Sequence, residues 1–206
     1  MVRETIEKIH SMSIDEIEKE KERIRKEQDE ISDKIYNCHV TGNIESLSDY
    51  IEKYDELCDL YDLYCFVPNS RMIGENENIT LWKREWNDED PLAGTYIIRD
   101  KQNINVVGDI SFNPKLRDGY FGSIAYNVYN RYNGHSYAFQ ALCLLSNYLR
   151  ANGVDRITVN ALKDNIASVK TIYKFRDYLQ GGDFNEENGS VLFSSFDLSL
   201  LDEKTL

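Results

Sequence analysis

Apolar residues recur at three- and four-residue steps through the first third of the chain and gather afterwards into short runs, so the pattern predicts helices followed by a sheet. Val2, Ile6 and Ile9 predict a short docking helix. Ser13 followed by Glu16 forms a capping box, which opens a charged segment to about Cys38 with a narrow stripe of Ile14, Ile17, Ile24, Ile31 and Ile35. Thr41-Gly42-Asn43 is a turn signal. From Ile44 a broader stripe runs through Leu47, Tyr50, Ile51, Tyr54, Leu57, Cys58, Tyr61, Tyr64 and Cys65. Residues 1–68 are therefore expected to form an antiparallel helical hairpin, serving either as a scaffold or as a surface for a second copy or another partner.

Pro68 has no amide hydrogen and biases Val67 away from helix, so the helical region stops there. Asn69 to Asn78 reads as a polar loop and the domain boundary, with a second domain over residues 79–206. Ile79 to Glu85, Gly94 to Arg99, Val106 to Phe112 and Tyr120 to Val128 are short, rich in Ile, Val, Tyr, Phe, Trp and Thr, and bounded by turn residues. They predict four consecutive antiparallel strands. Ala138, Ala141, Leu142, Leu145, Tyr148 and Leu149 then share one helix face, which ends at Asn152-Gly153. Arg156 to Leu162 predicts a strand, with Val159 buried. Asn165 starts a helix burying Val169, Ile172 and Tyr173, and Val191 to Leu200 predicts a last strand. The fold class is α+β: a mixed, mostly antiparallel sheet flanked by helices, with an amino-terminal helical hairpin.

Composition narrows the partners. Hydrophobic residues at 41% and charged residues at 29% suit a globular chain, and no apolar run approaches the roughly 18 residues that would span a bilayer. The polar start lacks the apolar core of a secretory signal, which points to the cytoplasm. A net charge of -12 disfavours nucleic acid and anionic membranes and favours a cationic acceptor. Cys38, Cys58, Cys65 and Cys143 form no Cys-x-x-Cys pair and read as reduced thiols, with no metal site expected.

The chemistry concentrates between Tyr120 and Tyr178. A helix that follows directly on a strand presents unpaired amide hydrogens and the positive end of its dipole, which suit a phosphate or pyrophosphate. Gly134 stands at such a junction, within Arg131-Tyr132-Asn133-Gly134-His135-Ser136-Tyr137-Ala138. About thirty residues later Asp164-Asn165-Ile166-Ala167-Ser168 opens a second helix at a second strand end, so the two strands are expected to splay around one crevice.

These residues, with Ile124-Ala125-Tyr126-Asn127-Val128 before them, resemble the GCN5-related N-acetyltransferases, particularly the branch acting on ribosomal-protein and other amino termini. The family signature Gln/Arg-x-x-Gly-x-Gly/Ala is met at Arg131 and Gly134, with Ser136 at the last small position. The resemblance implies acetyl-CoA as cosubstrate and an amine-bearing acceptor. It places the pyrophosphate on the amides from Asn133 to Ala138, the pantetheine against the backbone of Tyr126, Asn127 and Val128, and a hydrogen bond to the pantetheine at Asn165, with Ser168 beside it. The family's frequent acidic Tyr, seven positions after the Asn, is replaced by Ile172, so Tyr173 is the candidate acid. Asn160 stands where some members carry a Glu, which leaves Asp109 and Glu85 as candidate bases. The family's usual Gly-Phe is replaced within Lys174-Phe175-Arg176-Asp177. Only Trp86 to Ala93 separates the first two predicted strands, too short for the family's helices there, and the amino-terminal hairpin is a candidate replacement. The reading is a direct N-acetyltransferase; its rival is a noncatalytic CoA-binding or partner-binding module.

Overall fold

The structure, a computed structural model, describes residues 2–68, 70–84, 90–102, 105–114, 122–181, 183–185 and 190–201. The chain divides into two compact units, Met1–Ser70 with Asn103–Val106, and Arg71–Gln102 with Val107–Leu206.

In the first unit, helices α1 (Val2–Ser11), α2 (Ile14–Thr41) and α3 (Leu47–Phe66) follow one another. The capping box forms as predicted: the Glu16 amide donates to the Ser13 hydroxyl, and the Glu16 carboxylate accepts from the Ser13 amide. Ile17, Ile24 and Ile31 are buried at seven-residue intervals, two helical turns apart, and meet Leu57, Leu63, Tyr64 and Val67. Glu27 pairs with Lys53 at 3.3 Å and the Gln28 amide meets the Cys58 sulfur at 3.3 Å, while Lys34 lies over Tyr50 and Arg25 over Tyr61. Contacts that descend α3 as they ascend α2 define an antiparallel pair. Both predicted stripes were too wide: Ile14 of the first and Ile44 and Ile51 of the second are exposed.

The second unit is a sheet of eight strands in the order β1-β2-β3-β4-β5-β6-β8-β7. These are β1 (Ser70–Glu75), β2 (Ile79–Arg84), β3 (Gly94–Asp100), β4 (Val106–Asn113), β5 (Gly122–Val128), β6 (Arg156–Leu162), β7 (Asp183–Asn185) and β8 (Val191–Asp197). Helices α4 (Tyr137–Ala151) and α5 (Ile166–Leu179) connect β5 to β6 and β6 to β7. Pairs β2–β3, β4–β5, β6–β8 and β7–β8 are antiparallel, and β5–β6 is parallel.

Leu142, Leu145 and Leu149 of α4 and Ile172, Phe175 and Leu179 of α5 pack on one sheet face, against Ile98, Ile110, Ile124, Val159 and Phe196. Removing this apolar area from water, at about 25 cal/mol per Å2, is the main stabilising term of the unit. Alternation along the strands sends the remaining side chains to the opposite face.

Three predictions at the sheet margins need correction. The polar loop expected at 69–78 contains β1, a partly exposed edge strand whose polar residues face water. The last strand ends at Asp197, and Leu198–Leu200 form a 3-10 turn in which the Asp197 carboxylate accepts from the Ser199 amide. Leu198 is buried and Leu200 exposed, an alternation that a turn produces as well as a strand does. Beside it β7 forms where no strand was expected.

Candidate functional site

β5 and β6 pair only through Gly122↔Ile157, Ser123↔Thr158 and Ile124↔Val159. β5 continues to Val128 and β6 to Leu162, so the two strands part beyond Ile124. The Tyr129 amide donates to the Val107 carbonyl at 2.9 Å, which fixes the alternation along β5. The amides of Asn127 and Ala125 face β4, whereas those of Tyr126 and Val128 face the gap. Gly108 makes this strand end possible: a Cβ there would stand 2.2 Å from the Asn127 carbonyl oxygen. A glycine within a strand marks such close approach.

Beyond β5 the chain makes a 3-10 turn at Asn130–Tyr132, then reverses through Gly134 at φ 93° and Ser136 at φ 59° into α4. A Cβ on Gly134 would meet nothing within 4 Å, so the glycine serves the positive φ and leaves open space beside the backbone. Ser136 makes no side-chain cap, and its hydroxyl instead meets the Lys174 ammonium at 3.3 Å. The first amides of α4 therefore have neither helical nor side-chain acceptors.

The α5 end is built differently. The Asn165 side-chain oxygen accepts from the Ser168 amide at 3.1 Å, which caps the helix and leaves the Asn165 amide group as a donor. The Tyr126 hydroxyl donates to the Ser168 carbonyl at 3.2 Å.

A cleft of about 450 Å3 joins these features. It brings together the predicted Tyr126, Asn127, Val128, Asn133, Gly134, Ser136, Tyr137, Ala138, Asn165 and Ser168. Arg131 and His135 lie outside this lining: the Arg131 guanidinium stands 5.0 Å over the Tyr132 ring, and His135 stacks on Tyr137 at 5.3 Å. The Tyr137 hydroxyl is held by Asp100; with burial as the larger cause, its pKa is pushed up to about 12.

Lys170, Thr171 and Lys174 also line the cleft and were missed, although their three- and four-residue spacing puts them on one face of α5 with Ala167. Two ammonium groups here reverse the local sign of an acidic chain.

The predicted catalytic residues are not gathered there. Tyr173 is 39% exposed, carries the Arg176 guanidinium 4.9 Å over its ring and does not line the cleft. The expectation that it is buried fails because Ile172 and Phe175 occupy the inward positions of α5. Asp109 is half-buried on β4, directly opposite Asn127. Burial raises its pKa and a hydrogen bond with Asn127 works the other way. Glu85 lies outside the described residues. Burial pushes the Cys143 thiol up to about 12, which removes it as a thiolate nucleophile.

On the same sheet face as Asp109 stands Arg99, opposite Thr80 on β2. It is 0% exposed, and all three guanidinium nitrogens lack a hydrogen-bond partner among the described residues. Its guanidinium lies 4.5 Å over the Trp82 ring. That contact stabilises by about 0.5–2 kcal/mol, whereas an unmatched buried charge costs several.

The acetyltransferase (GNAT) domain family matches residues 61–175, more than half of the 206 residues. None of the curated proteins matches the chain. Among solved structures, the chain is similar to the ribosomal-protein-S5-alanine acetyltransferase from Vibrio fischeri, at 18% identity and a TM-score of 0.42, over 52% of this chain and 62% of that one. It is also similar to an acetyltransferase from Bacillus anthracis, at 16% identity and a TM-score of 0.42, over 51% and 66%. A third is a Salmonella typhimurium protein solved with its cofactor acetyl-CoA, at 19% identity and a TM-score of 0.40, over 51% and 65%. The chain thus spans less than two thirds of the length of each of these three. Among the described residues no helix is long and apolar enough to cross a membrane.

Proposed function

Since the chain belongs to the acetyltransferase (GNAT) family, we propose that it transfers the acetyl group of acetyl-CoA directly to a primary amine. The observation that carries this reading is the parting of β5 from β6 beside an uncapped helix end. A pantetheine arm fits the gap as an added strand against the Tyr126 and Val128 amides, and the Asn165 amide group donates to it. The pyrophosphate takes the free amides from Gly134 to Ala138, with Lys174 and Lys170 as counter-charges. Residues 1–68 are an extension to this catalytic domain.

In the reaction, Asp109 takes a proton from the acceptor ammonium. The freed nitrogen lone pair attacks the thioester carbonyl, whose oxygen draws charge toward the amides facing the gap. The new C–N bond forms as the C–S bond breaks, and the thiolate leaves as CoA once protonated. Tyr126, rather than Tyr173, supplies that proton in this reading, supported by its place in the cleft lining and by burial, which raises its pKa and keeps it protonated near neutrality.

The test is release of CoA thiol with a panel of amines, polyamines and peptide amino termini. Asp109→Asn is expected to lower kcat/KM by about 10²- to 10⁴-fold and flatten its pH profile. Its stability should move the other way. A carboxyl whose folded pKa lies above 3.8 contributes stability that is full below that value and lost as pH rises through the folded pKa. The uncharged Asn variant should therefore gain on the native chain through that window and keep its advantage at neutral pH. CoA binding without turnover for every amine would leave only a binding module.

A further inference from the structure

We propose that the acceptor is a monoamine with an apolar tail, and that Leu162, Val191 and Phe193 carry that tail on the open sheet face beside the gap. The inference rests on the acetyl-transfer reading and concerns the face turned away from α4 and α5. Ile157, Val159 and Ala161 of β6 and Leu192 and Phe196 of β8 belong to the core against the helices. Asn160 and Leu162, with their cross-strand partners Phe193 and Val191, therefore point to the other side. Tyr126 and its partner Ile110 face the helices, so Asn127 and Asp109 point away from them as well.

The registers put these residues in one row. Asp109 pairs with Asn127 across β4 and β5, and Leu162 pairs with Val191 across β6 and β8. The β5–β6 register, continued three residues past Ile124↔Val159, brings Asn127 level with Leu162. The gap that takes the thioester in the proposed reaction opens between those two residues. Asn127 is exposed and lines the cleft, and Leu162 is 60% exposed, so a ligand reaches both lips.

The lips differ in chemistry. The β5 lip has Asn127 backed by the Asp109 carboxylate, which suits an ammonium. The β6 lip is apolar: Val191 stands opposite Leu162, and Phe193 is its diagonal neighbour, within reach for an aromatic ring. A single exposed Leu is ordinary, but three adjoining apolar side chains that none of the core claims form a patch. The pairs Leu162–Val191 and Asn160–Phe193 include no ionisable group, so a second charge on the tail would lie on apolar surface without a partner. A tail crossing from the gap over β6 to β8 covers one to two strand spacings, about 5–10 Å.

The experiment follows kcat/KM along the unbranched alkylamines from ethyl to hexyl, whose basicity is nearly constant. In the native chain kcat/KM should rise by up to about fourfold per methylene, and hexylamine should exceed the terminal diamine of the same length by about tenfold. Leu162→Ser should flatten the rise, while Leu162→Phe should keep it; both positions are open to solvent, and the rise in Tm on CoA addition checks that each variant is folded. A second readout needs no turnover: the Leu162 methyl resonances, identified by their loss in Leu162→Ser, should shift when hexylamine is added with CoA and stay in place with the diamine.

A flat series, a preference for the diamine, or a slope unchanged by Leu162→Ser overturns the proposal. Self-association that Leu162→Ser abolishes would assign the patch to a second copy and overturn it equally. Failure to bind CoA would instead strike the acetyl-transfer reading, and the methyl titration without CoA would still report on the patch.

Discussion

The junctions β5–α4 and β6–α5 both bring a strand to a helix at one cleft, and they treat the helix end in opposite ways. At α5 the chain supplies its own acceptor, because Asn165 takes the Ser168 amide. At α4 the backbone bends through two positive φ values and no side chain reaches the amides. A capped end is complete in itself, while an uncapped end costs stability until a ligand supplies the acceptor. On the proposed reading, the difference separates the junction that takes the pyrophosphate from the one that aims a side chain.

Substitutions can break that distinction. The largest effect is expected from Gly134→Asp, which puts a carboxylate where the proposed reading seats the pyrophosphate. Affinity for CoA should fall by at least about a hundredfold, or roughly 2.7 kcal/mol, removing the rise in Tm on CoA addition. Gly134→Ala shares the strain of a φ of 93° without the charge and separates the two causes. Gly108→Ala acts on the strand side of the same junction. Its Cβ must displace the Asn127 carbonyl, at an expected cost of about 1–3 kcal/mol in denaturant unfolding and a raised KM for acetyl-CoA.

Asn165→Ala makes the second junction resemble the first. It should cost about 1 kcal/mol through loss of the cap and also weaken CoA, and Asn165→Asp should restore the cap without the amide donor. Ser136→Gly relieves a left-handed residue and should stabilise by about 0.4–1 kcal/mol with CoA binding retained.

The central crossover was legible because its periodicities are strong and its end signals are specific. β6 has the predicted bounds, and Val159 is fully buried. The sheet margins were not legible, since an edge strand such as Ser70–Glu75 needs no apolar alternation and reads as a loop. Within the site, Gly134 announced itself through its place before a helix. Ser136 stood out as the last small position of the signature, but its positive φ did not, because nothing local requires a serine to take one. Lys170 and Lys174 follow from helical spacing once Asn165 is fixed as the cap. Arg99 lies inside an otherwise ordinary strand, Gly94–Asp100, and only its full burial without a partner distinguishes it. Tyr173 shows the limit of motif matching: one residue along a helix is about 100°, enough to turn a ring from the cleft to solvent.

The open inner edge of β5 has a consequence beyond catalysis. A cosubstrate that completes a sheet is also a folding ligand: it binds the native chain and not the unfolded one. By mass action, free CoA at a hundred times its Kd adds about 2.7 kcal/mol to stability, a large fraction of what a domain of this size possesses. On the proposed binding mode, the abundance of this protein should follow the supply of its cosubstrate, with faster degradation when CoA runs short. In the empty state the Tyr126 and Val128 amides, which lack a neighbouring strand, should exchange hydrogen faster than that of Ile124 one turn of the pleat away, and CoA should erase the difference.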